Sequence, residues 1–276
     1  MKKAGVDFGL TSTKIYWIND KGEDLYLSSR EISRSSLVSV LRHSGVTDVC
    51  IGGNGPTEGF ERFRLHRLSG DPIKNEKLTQ AKGARHLLLV EARPPETKHI
   101  VVSIGTGTSY VAVNGEGYDL PIGSTFGAGS IDGLLTALQL GTAADLDKLL
   151  GANGASYDLM VSDAVPALRG TPYDHWIAAS YAKAARRAEG EAFDPLKFAK
   201  SALNQLAADV YCRLALFEET PYRGSRDVVV LGALPHRSHV VRELIETTIR
   251  LLGKTPIFPK RGEYALAVGA FQAINP

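Results

Sequence analysis

Cysteine is scarce in this 276-residue chain, which contains only Cys50 and Cys212. Both lie in apolar segments, so we expect two buried free thiols in a reducing compartment and no disulfide framework. The seven histidines and two cysteines show none of the spacings that zinc modules use. The sequence therefore predicts neither a disulfide-stabilised secreted domain nor a structural zinc site.

Long apolar runs and an excess of one charge sign are also missing. No run approaches the ~20 residues that a membrane-spanning helix needs, and the N-terminal residues lack the apolar core of a signal peptide. The chain has 32 basic and 30 acidic residues, and its formal net charge of +2 gives no argument for binding nucleic acid or membrane. With 43% hydrophobic and 22% charged residues, we expect a globular cytoplasmic protein.

The most informative stretch is His99–Ser109, which reads H-I-V-V-S-I-G-T-G-T-S. Its β-branched run Ile100–Val102 predicts a buried strand. Gly105 and Gly107 then alternate with hydroxyl residues, and glycine lets the backbone turn sharply so that its N–H groups can approach an anion. The pattern is typical of a phosphate-binding turn, and equally typical of an ordinary glycine-rich hairpin.

A similar unit opens the chain. We predict a strand over Lys3–Asp7, a polar turn over Asp7–Thr13 and a second strand over Lys14–Asn19. Asp7, at the end of the first strand, suits a site for Mg²⁺ or its waters, because that ion prefers oxygen ligands. The alternative is a turn aspartate that hydrogen-bonds its own backbone.

A third glycine-rich segment, Gly123–Gly129, precedes a helix predicted over Ser130–Leu140. Ser130 is a candidate N-cap, and glycine just before a helix leaves N–H groups free for an anion. A flexible connector is the alternative. Two such loops at the ends of neighbouring strands favour an anion site more strongly than either loop would alone.

The rest of the chain alternates between strands and helices. The other predicted strands are Asp24–Ser28, Val46–Ile51, Phe60–Leu68, Tyr110–Val113, Tyr118–Ile122, Asp227–Leu231 and Thr255–Phe258. The other predicted helices are Ser33–His43, Glu76–Ala92, Asp145–Leu150, Tyr157–Ala167, Tyr173–Glu189, Asp194–Glu219, His239–Leu252 and Tyr264–Ile274, with Asp71–Asn75 as a connector. Each half opens with strand, turn, strand and hairpin, which predicts two lobes, 1–95 and 96–276, with a boundary near Pro94-Pro95.

This duplicated unit resembles the actin-like ATPase superfamily and, within it, the type II pantothenate kinase family. The resemblance implies an α/β fold of two actin-like (ribonuclease H-like) lobes, with duplicated mixed β-sheets flanked by helices. It is carried by V-D-F-G-L-T-S-T-K-I at Val6–Ile15, I-G-G-N-G at Ile51–Gly55, E-K-L-T-Q-A-K-G at Glu76–Gly83, S-I-G-T-G-T-S at Ser103–Ser109, G-A-G-S-I-D-G-L at Gly127–Leu134, A-A-S-Y-A-K at Ala178–Lys183, V-V-V-L-G-A at Val228–Ala233 and Y-A-L-A-V-G-A at Tyr264–Ala270.

The activity that this resemblance implies is ATP- and Mg²⁺-dependent phosphorylation of the primary hydroxyl of pantothenate, the first step to coenzyme A, by a homodimer. Glu76 matches the family's general base, a role that a carboxylate within reach of an alcohol can perform. Without the family match, Glu76 reads as a first-turn glutamate favoured by the helix dipole.

The resemblance also assigns the nucleotide site. Asp7 would hold Mg²⁺ through water, and the turn Gly105–Thr108 would cradle the phosphates. The remaining expected contacts are Gly9, Thr11 and Lys14 at the first turn, Thr106 and Gly107 within the second, Gly127, Gly129 and Ser130 at a helix N-terminus, and Gly232 and Ala233 on the adenosine side.

Three positions depart from the family pattern. Leu10 stands where the family usually has a second glycine, and Phe126 interrupts the second glycine-rich loop. Leu120 stands where the family has an arginine, and the loss of a guanidinium that faces developing charge is costly. Arg67 and Arg85 are candidate substitutes. These departures keep two alternatives open: a kinase of another small hydroxyl substrate such as an N-acetylhexosamine, or a catalytically weak regulator that binds nucleotide or a coenzyme A derivative.

Overall fold

A computed structural model describes residues 1–115, 117–150, 154–171, 174, 176–187 and 190–274, and only the backbone of 118–122. The strands are β1 (Lys2–Phe8), β2 (Thr13–Ile18), β3 (Asp24–Ser28), β4 (Val46–Ile51), β5 (Arg64–His66), β6 (Lys98–Ile104), β7 (Thr108–Asn114), β8 (Gly117–Ser124), β9 (Leu159–Met160), β10 (Ile177–Ala179), β11 (Asp227–Leu231) and β12 (Thr255–Ile257). The helices are α1 (Arg34–His43), α2 (Pro72–Val90), α3 (Ala128–Ala137), α4 (Leu146–Leu149), α5 (Val161–Ala164), α6 (Pro195–Leu216), α7 (Ala233–Arg237), α8 (His239–Leu251) and α9 (Ala265–Ile274).

Two five-stranded sheets have the same plan. In the first, the strand order is β3-β2-β1-β4-β5, and β1 pairs antiparallel with β2 and parallel with β4. In the second, the order is β12-β11-β6-β7-β8, and β6 pairs antiparallel with β7 and parallel with β11. The glycine-rich turns β1–β2 and β6–β7 therefore occupy equivalent positions in the two sheets.

Helices cover both faces of the second sheet, and this explains why its central strand is an unbroken apolar run. Ile100 and Val102 pack with Leu203 of α6 and Ile245 of α8. The intervening Val101 faces the other way and packs with buried residues of α2 and α9. Burial of successive side chains on opposite faces thus places one hydrophobic layer on each side of β6.

Helices α2 and α9 lie between the two sheets. Helix α9 packs against α2 and also against β1 of the first sheet. Close approach is possible because Gly5, Gly83 and Gly269 present no Cβ: an added one would collide with Ala267 O, Ala265 O and Thr79 O respectively. The first sheet lies within 1–95 and the second within 96–276. We propose that the lobes divide there, with α9 completing the first.

Helix α2 begins earlier than the sequence predicted. The stretch Asp71–Asn75, predicted as a connector, holds the N-cap and the first turn. The Asp71 side chain accepts hydrogen bonds from the N–H groups of Ile73 and Lys74, and Pro72 suits the first helical position. This Asp-Pro start displaces Glu76 into the second turn.

The segment between α4 and α6 is where the predictions fail. Within its described residues, the helices predicted over Tyr157–Ala167 and Tyr173–Glu189 are wrong: the chain forms the two-stranded ribbon β9–β10, the single-turn α5 and turns. The predicted loop Gly151–Gly154 lies outside the described residues, except for Gly154. Tyr181, predicted to be helical, has a φ of 62°, and its N–H donates to the buried Asp158 carboxylate.

Smaller corrections concern single residues. Cys50 is buried as predicted, whereas Cys212 is exposed on α6. Only Arg64–His66 of the strand predicted over Phe60–Leu68 is extended. Among the described residues, no helix is both long and apolar enough to cross a membrane.

Candidate active site

A cleft of about 410 Å³ lies between the two sheets. Its walls come from the β1–β2 turn, the loop after β4, α2, the β6–β7 turn, α3 and the loops after β11 and β12. The predicted site residues that line it are Asp7, Gly9, Thr11, Lys14, Glu76, Gly105, Thr106, Gly107, Thr108, Gly129, Gly232 and Ala233. Gly127 and Ser130 are not in the lining.

The first turn combines an ion pair of the buried Asp7 with the half-buried Lys14, and main-chain donors that have no partner among the described residues. Asp7 and Lys14 are partners in the β1–β2 register, and the Lys14 Nζ lies 3.1 Å from Asp7 Oδ2. The Gly9 N–H donates to the Ser12 carbonyl at 3.2 Å, which closes the turn. In the described part of the chain, the N–H groups of Leu10, Thr11 and Ser12 have no acceptor. The turn can therefore offer several N–H groups to an anion.

The loop after β4 supports Asp7 from behind. A Cβ on Gly53 would collide with Asp7 Oδ1 and would lie 2.7 Å from the Phe8 carbonyl oxygen. A Cβ on Gly55 would lie 2.5 Å from the same Phe8 oxygen, which is also a collision. The sequence predicted this G-G-N-G segment as a loop after a strand and as part of the resemblance, but its role in supporting Asp7 was missed. Glycine doublets directly after a buried strand are the signal that could have found it.

Glu76 belongs to a chain of hydrogen bonds that crosses the cleft. Its Oε2 accepts from Asn54 Nδ2 at 2.7 Å, and its Oε1 accepts from Gln80 Nε2 at 3.2 Å. Gln80 Oε1 in turn accepts from the Ser109 hydroxyl at 3.0 Å. The base expected on the first lobe is thus connected to the strand that follows the second turn. Asn54, Gln80 and Ser109 were missed as site residues, although Gln80 is four residues after Glu76 and must share its helix face.

The environment of Glu76 changes its proton affinity. Burial raises the pKa of the Glu76 carboxyl, and the nearby Asp7 carboxylate raises it further. The Lys77 ammonium and the Asn54 hydrogen bond act in the opposite direction and do not cancel the rise. Because Glu76 lies in the second turn of α2, the helix-dipole interpretation loses its basis, since that effect falls off within the first turn. A carboxylate with a raised pKa is a stronger base than an ordinary glutamate.

The second turn is held by its own backbone and by α3. The Gly105 N–H donates to the Gly107 carbonyl at 2.9 Å. The N–H groups of Ala128 and Gly129 donate to the carbonyls of Gly105 and Thr106, at 2.7 Å and 3.0 Å. In the described residues, the N–H groups of Thr106 and Gly107 have no acceptor. These are the donors that the second turn can present to an anion.

This arrangement corrects the prediction for the α3 N-terminus. The helix begins at Ala128, the N-cap is Gly127, and Ser130 Oγ donates to the Thr125 carbonyl. The first N–H groups of the helix, predicted to be free for an anion, are used to fix the second turn. Gly127 has a packing role, because a Cβ there would lie 2.6 Å from the Gly107 carbonyl carbon.

Gly232 connects β11 to the cleft. Its φ of 104° and its contact with Ile104 O, which any Cβ would violate, both require glycine. Ala233 begins α7 directly after it. The His236 ring lies between two main-chain carbonyls, 2.8 Å from Gly232 O and 2.9 Å from Pro259 O. The ring thereby fixes the Gly232 turn against the loop after β12.

Lys14 lines the cleft as expected, but the arginine that does so differs from the expected ones. Lys14 and Arg30 line it, whereas the predicted substitutes Arg67 and Arg85 do not. Arg30 follows β3 and was missed, because nothing in its local sequence distinguishes it from other surface arginines.

Asp7 suits the role of a carboxylate that holds Mg²⁺ through bound water. Among the described residues, no three His, Cys, Asp or Glu side chains gather to form a metal site. Mg²⁺ usually takes one or two carboxylates and completes its shell with waters and phosphates. Asp7 lines the cleft, and its Oδ1 is not the oxygen that Lys14 contacts.

No protein-family model matches the chain. It is 24% identical over 275 residues to a type II pantothenate kinase of Bacillus cereus (strain AH820), with 96% of this chain and 95% of the relative covered. It is 25% identical over 276 residues to a type II pantothenate kinase of Bacillus anthracis, with the same coverage.

Solved structures that share the fold include the following two. The activator of the 2-hydroxyisocaproyl-CoA dehydratase from Clostridium difficile with bound ADPNP has a TM-score of 0.60 at 15% identity, covering 100% of this chain and 96% of that one. A ROK family glucokinase from Streptomyces griseus, in complex with glucose and AMPPNP, has a TM-score of 0.52 at 13% identity, covering 99% and 98%. The two-lobed actin-like α/β fold implied by the sequence is confirmed.

Proposed function

We propose that this chain is an ATP-dependent kinase that phosphorylates the primary hydroxyl of pantothenate, with Mg²⁺ as its metal. The observation that carries the proposal is the cleft that Glu76 shares with both glycine-rich turns. The choice of pantothenate is supported by the type II pantothenate kinases that align with nearly the whole chain at 24–25% identity. The proposal includes a homodimer, which light scattering of the purified chain tests.

The two turns would bind the phosphates through their main chain. Uncommitted N–H groups in Leu10–Ser12 and in Thr106–Gly107 are the donors, and the Lys14 ammonium adds positive charge beside Asp7. Positioning and charge neutralisation are most of what phosphoryl transfer requires from a protein. When bound, Mg²⁺ would neutralise charge on the phosphate oxygens, anchored by the Asp7 carboxylate through water.

Glu76 would act as the general base. Its carboxylate takes the proton of the acceptor hydroxyl, the hydroxyl oxygen forms the bond to the γ-phosphorus, and the bond to the leaving ADP breaks. Asn54 and Gln80 orient the carboxylate through the hydrogen bonds at its two oxygens. The raised pKa of Glu76 suits this task, because proton transfer to a base is most efficient when the pKa of the base lies near the working pH.

A second acceptor class is favoured by one observation. Leu120 stands where the resembled family has an arginine, so a small hydroxyl substrate other than pantothenate, such as an N-acetylhexosamine, is the runner-up.

The test is transfer of γ-labelled phosphate from Mg-ATP by the purified full-length chain to pantothenate, to a panel of N-acetylhexosamines and to no acceptor. We expect labelled phosphopantothenate, lost in Glu76→Gln and retained in the control Glu246→Gln, which alters an exposed ion pair on α8. Transfer to a sugar alone would replace pantothenate by the runner-up. Nucleotide binding without transfer to any acceptor would refute the kinase and indicate a regulator.

A further inference from the structure

The charge of the cleft is unbalanced. Four of its charged lining residues are carboxylates and two are cations: Asp7, Glu76, Asp132 and Glu263 against Lys14 and Arg30. The Lys14 ammonium is already paired with Asp7. In the described part of the chain, the guanidinium of Arg30 has no ion pair and no hydrogen bond. Arg30 is therefore the cation in this lining that is available to an anionic ligand.

The backbone of Arg30 is fixed beside the first turn. The Ser29 N–H donates to the Thr13 carbonyl at 2.8 Å, and the Thr13 N–H donates to Ser29 Oγ at 2.8 Å. The Arg30 N–H donates to Ser28 Oγ at 3.3 Å. Since Thr13 is where the first turn ends and β2 begins, these bonds hold Arg30 at a set place next to the turn.

The strand order decides which side of the cleft Arg30 serves. In the order β3-β2-β1-β4, Arg30 follows β3, whereas the loop that contacts Glu76 follows β4. The two residues thus lie on opposite sides of Asp7. The acceptor hydroxyl belongs on the side of Glu76, so an anion at Arg30 is on the other side.

Arg30's side of the cleft is also the side of Gly232. The Tyr26 ring of β3 packs on Tyr264, with ring centroids 5.2 Å apart. Tyr264 ends the 3-10 turn Gly262–Tyr264, and the Gly262 carbonyl accepts from the Gly232 N–H at 3.4 Å. The position of Arg30 therefore favours the nucleotide over the acceptor.

We propose that Arg30 binds a phosphate oxygen of the nucleotide. The inference rests on the proposed function, because it assumes a nucleoside triphosphate in this cleft. The planar guanidinium can donate two parallel hydrogen bonds to a phosphate, which an ammonium cannot do in the same geometry. The residue would act on charge and position, with no bond made or broken at Arg30.

The test compares Arg30→Gln and Arg30→Lys with the control Arg67→Gln, an arginine that does not line the cleft. Isothermal titration with Mg²⁺ measures the affinity of each purified chain for a non-hydrolysable ATP analogue, for ADP and for AMP. We expect Arg30→Gln to weaken the binding of the ATP analogue by about 10- to 100-fold and to leave AMP binding unchanged. The affinity of Arg30→Lys for the ATP analogue should lie between those of Arg30→Gln and the wild type. The affinity of Arg67→Gln should match that of the wild type.

Three results would overturn the inference while leaving the kinase proposal intact. The first is unchanged affinity of Arg30→Gln for the ATP analogue. The second is an equal loss for AMP and the ATP analogue, which would place no special contact at the terminal phosphates. The third is normal nucleotide affinity with a raised KM for the acceptor, which would assign Arg30 to an acceptor anion. A wild-type chain that binds no nucleotide would instead refute the proposed function itself.

Folding is checked by the thermal unfolding midpoint of each variant. Arg30 is exposed, so we expect midpoints close to that of the wild type. If Arg30→Gln fails to fold, the comparison of Arg30→Lys with the wild type decides the same question: an unchanged affinity for the ATP analogue would overturn the inference.

Discussion

The first and second glycine-rich turns have the same topology and different chemistry. The first is surrounded by ionisable side chains, with Asp7 and Lys14 at its ends and Glu76 across from them. The second, Gly105–Thr108, contains only glycine and threonine and can offer main-chain N–H groups. Under the proposed function, the two copies of this strand unit would divide the work: proton transfer on one lobe, and binding of phosphate on both.

The supports of the two turns differ in the same way. The carbonyls of the second turn are tied to the α3 backbone through Ala128 and Gly129. The first turn has a loop behind it, where Gly53 makes room for Asp7. From this difference we expect changes near the first turn to lower kcat, and changes behind the second to raise the KM for the nucleotide.

The sharpest test of this division is Glu76→Gln. We expect kcat to fall by about 100- to 10,000-fold, the usual contribution of a general base, while the KM for ATP stays close to its wild-type value. Steady-state kinetics over both substrates measures the two constants separately. A large rise in the KM for ATP with unchanged kcat would contradict the assignment of proton transfer to the first lobe.

The substitution expected to disturb the second turn most directly is Gly127→Ala. The added Cβ would lie 2.6–2.7 Å from the main chain of Gly107, and overpacking of this kind costs about 1–3 kcal/mol. We expect a lower unfolding midpoint and a raised KM for ATP. The matched control is Gly133→Ala on the same helix, where an added Cβ meets nothing within 4 Å and should stabilise the helix by up to ~1 kcal/mol. Equal behaviour of the two variants would show that the support of the turn by Gly127 is unimportant.

The pH profile sharpens the role of the first lobe. Because the pKa of Glu76 is raised above the ordinary 4.5, and the base must be ionised, kcat/KM should fall on the acid side at a higher pH than an ordinary glutamate would give. The residual rate of Glu76→Gln should lack this acid limb. An acid limb at or below pH 4.5 in the wild type would contradict the raised pKa.

The same shift predicts a stability difference with a definite sign. The folded state binds the Glu76 proton more tightly than the unfolded state does, so the wild type loses stability as pH rises from the unfolded pKa through the folded one. Glu76→Gln does not carry this penalty. We expect its unfolding midpoint to gain on that of the wild type between acid and neutral pH, as thermal denaturation across pH will measure.

The smallest effect is expected at Leu10. The side chain is 78% exposed, and its φ is not positive, so the turn accepts leucine where the resembled family has glycine. We expect Leu10→Gly to change the free energy of unfolding by no more than about 0.5 kcal/mol, as for most surface substitutions, and to leave the KM for ATP nearly unchanged. A large drop in that KM would mean that leucine hinders the first turn.

The sequence predicted most of this frame because its signals are local. Each strand–turn–strand unit, β1–β2 and β6–β7, is a single contiguous segment of the chain. The alternation of glycine and hydroxyl residues identified the turn Gly105–Thr108. The hydrogen bonds between Asn54, Glu76, Gln80 and Ser109 join residues up to 29 positions apart. No periodicity encodes such contacts, and for the same reason Arg30 was missed.

The failures have physical causes as well. The predicted helix over Tyr157–Ala167 does not form, and there Asp158 is buried and accepts from Asn204 on α6 and from the N–H of Tyr181. Tertiary hydrogen bonds of this kind override local helix propensity. The start of α2 at Asp71-Pro72 was predictable from the sequence, since an aspartate N-cap followed by proline is a recognised helix-start signal.

The return of α9 to the first sheet has a consequence for how the protein is made. Helix α9 is synthesised after all eight other described helices and after both sheets, so the face of β1 that α9 covers stays exposed until α9 has emerged from the ribosome. The hydrophobic core between the sheets contains residues of both halves. We therefore expect neither half to complete its core without the other.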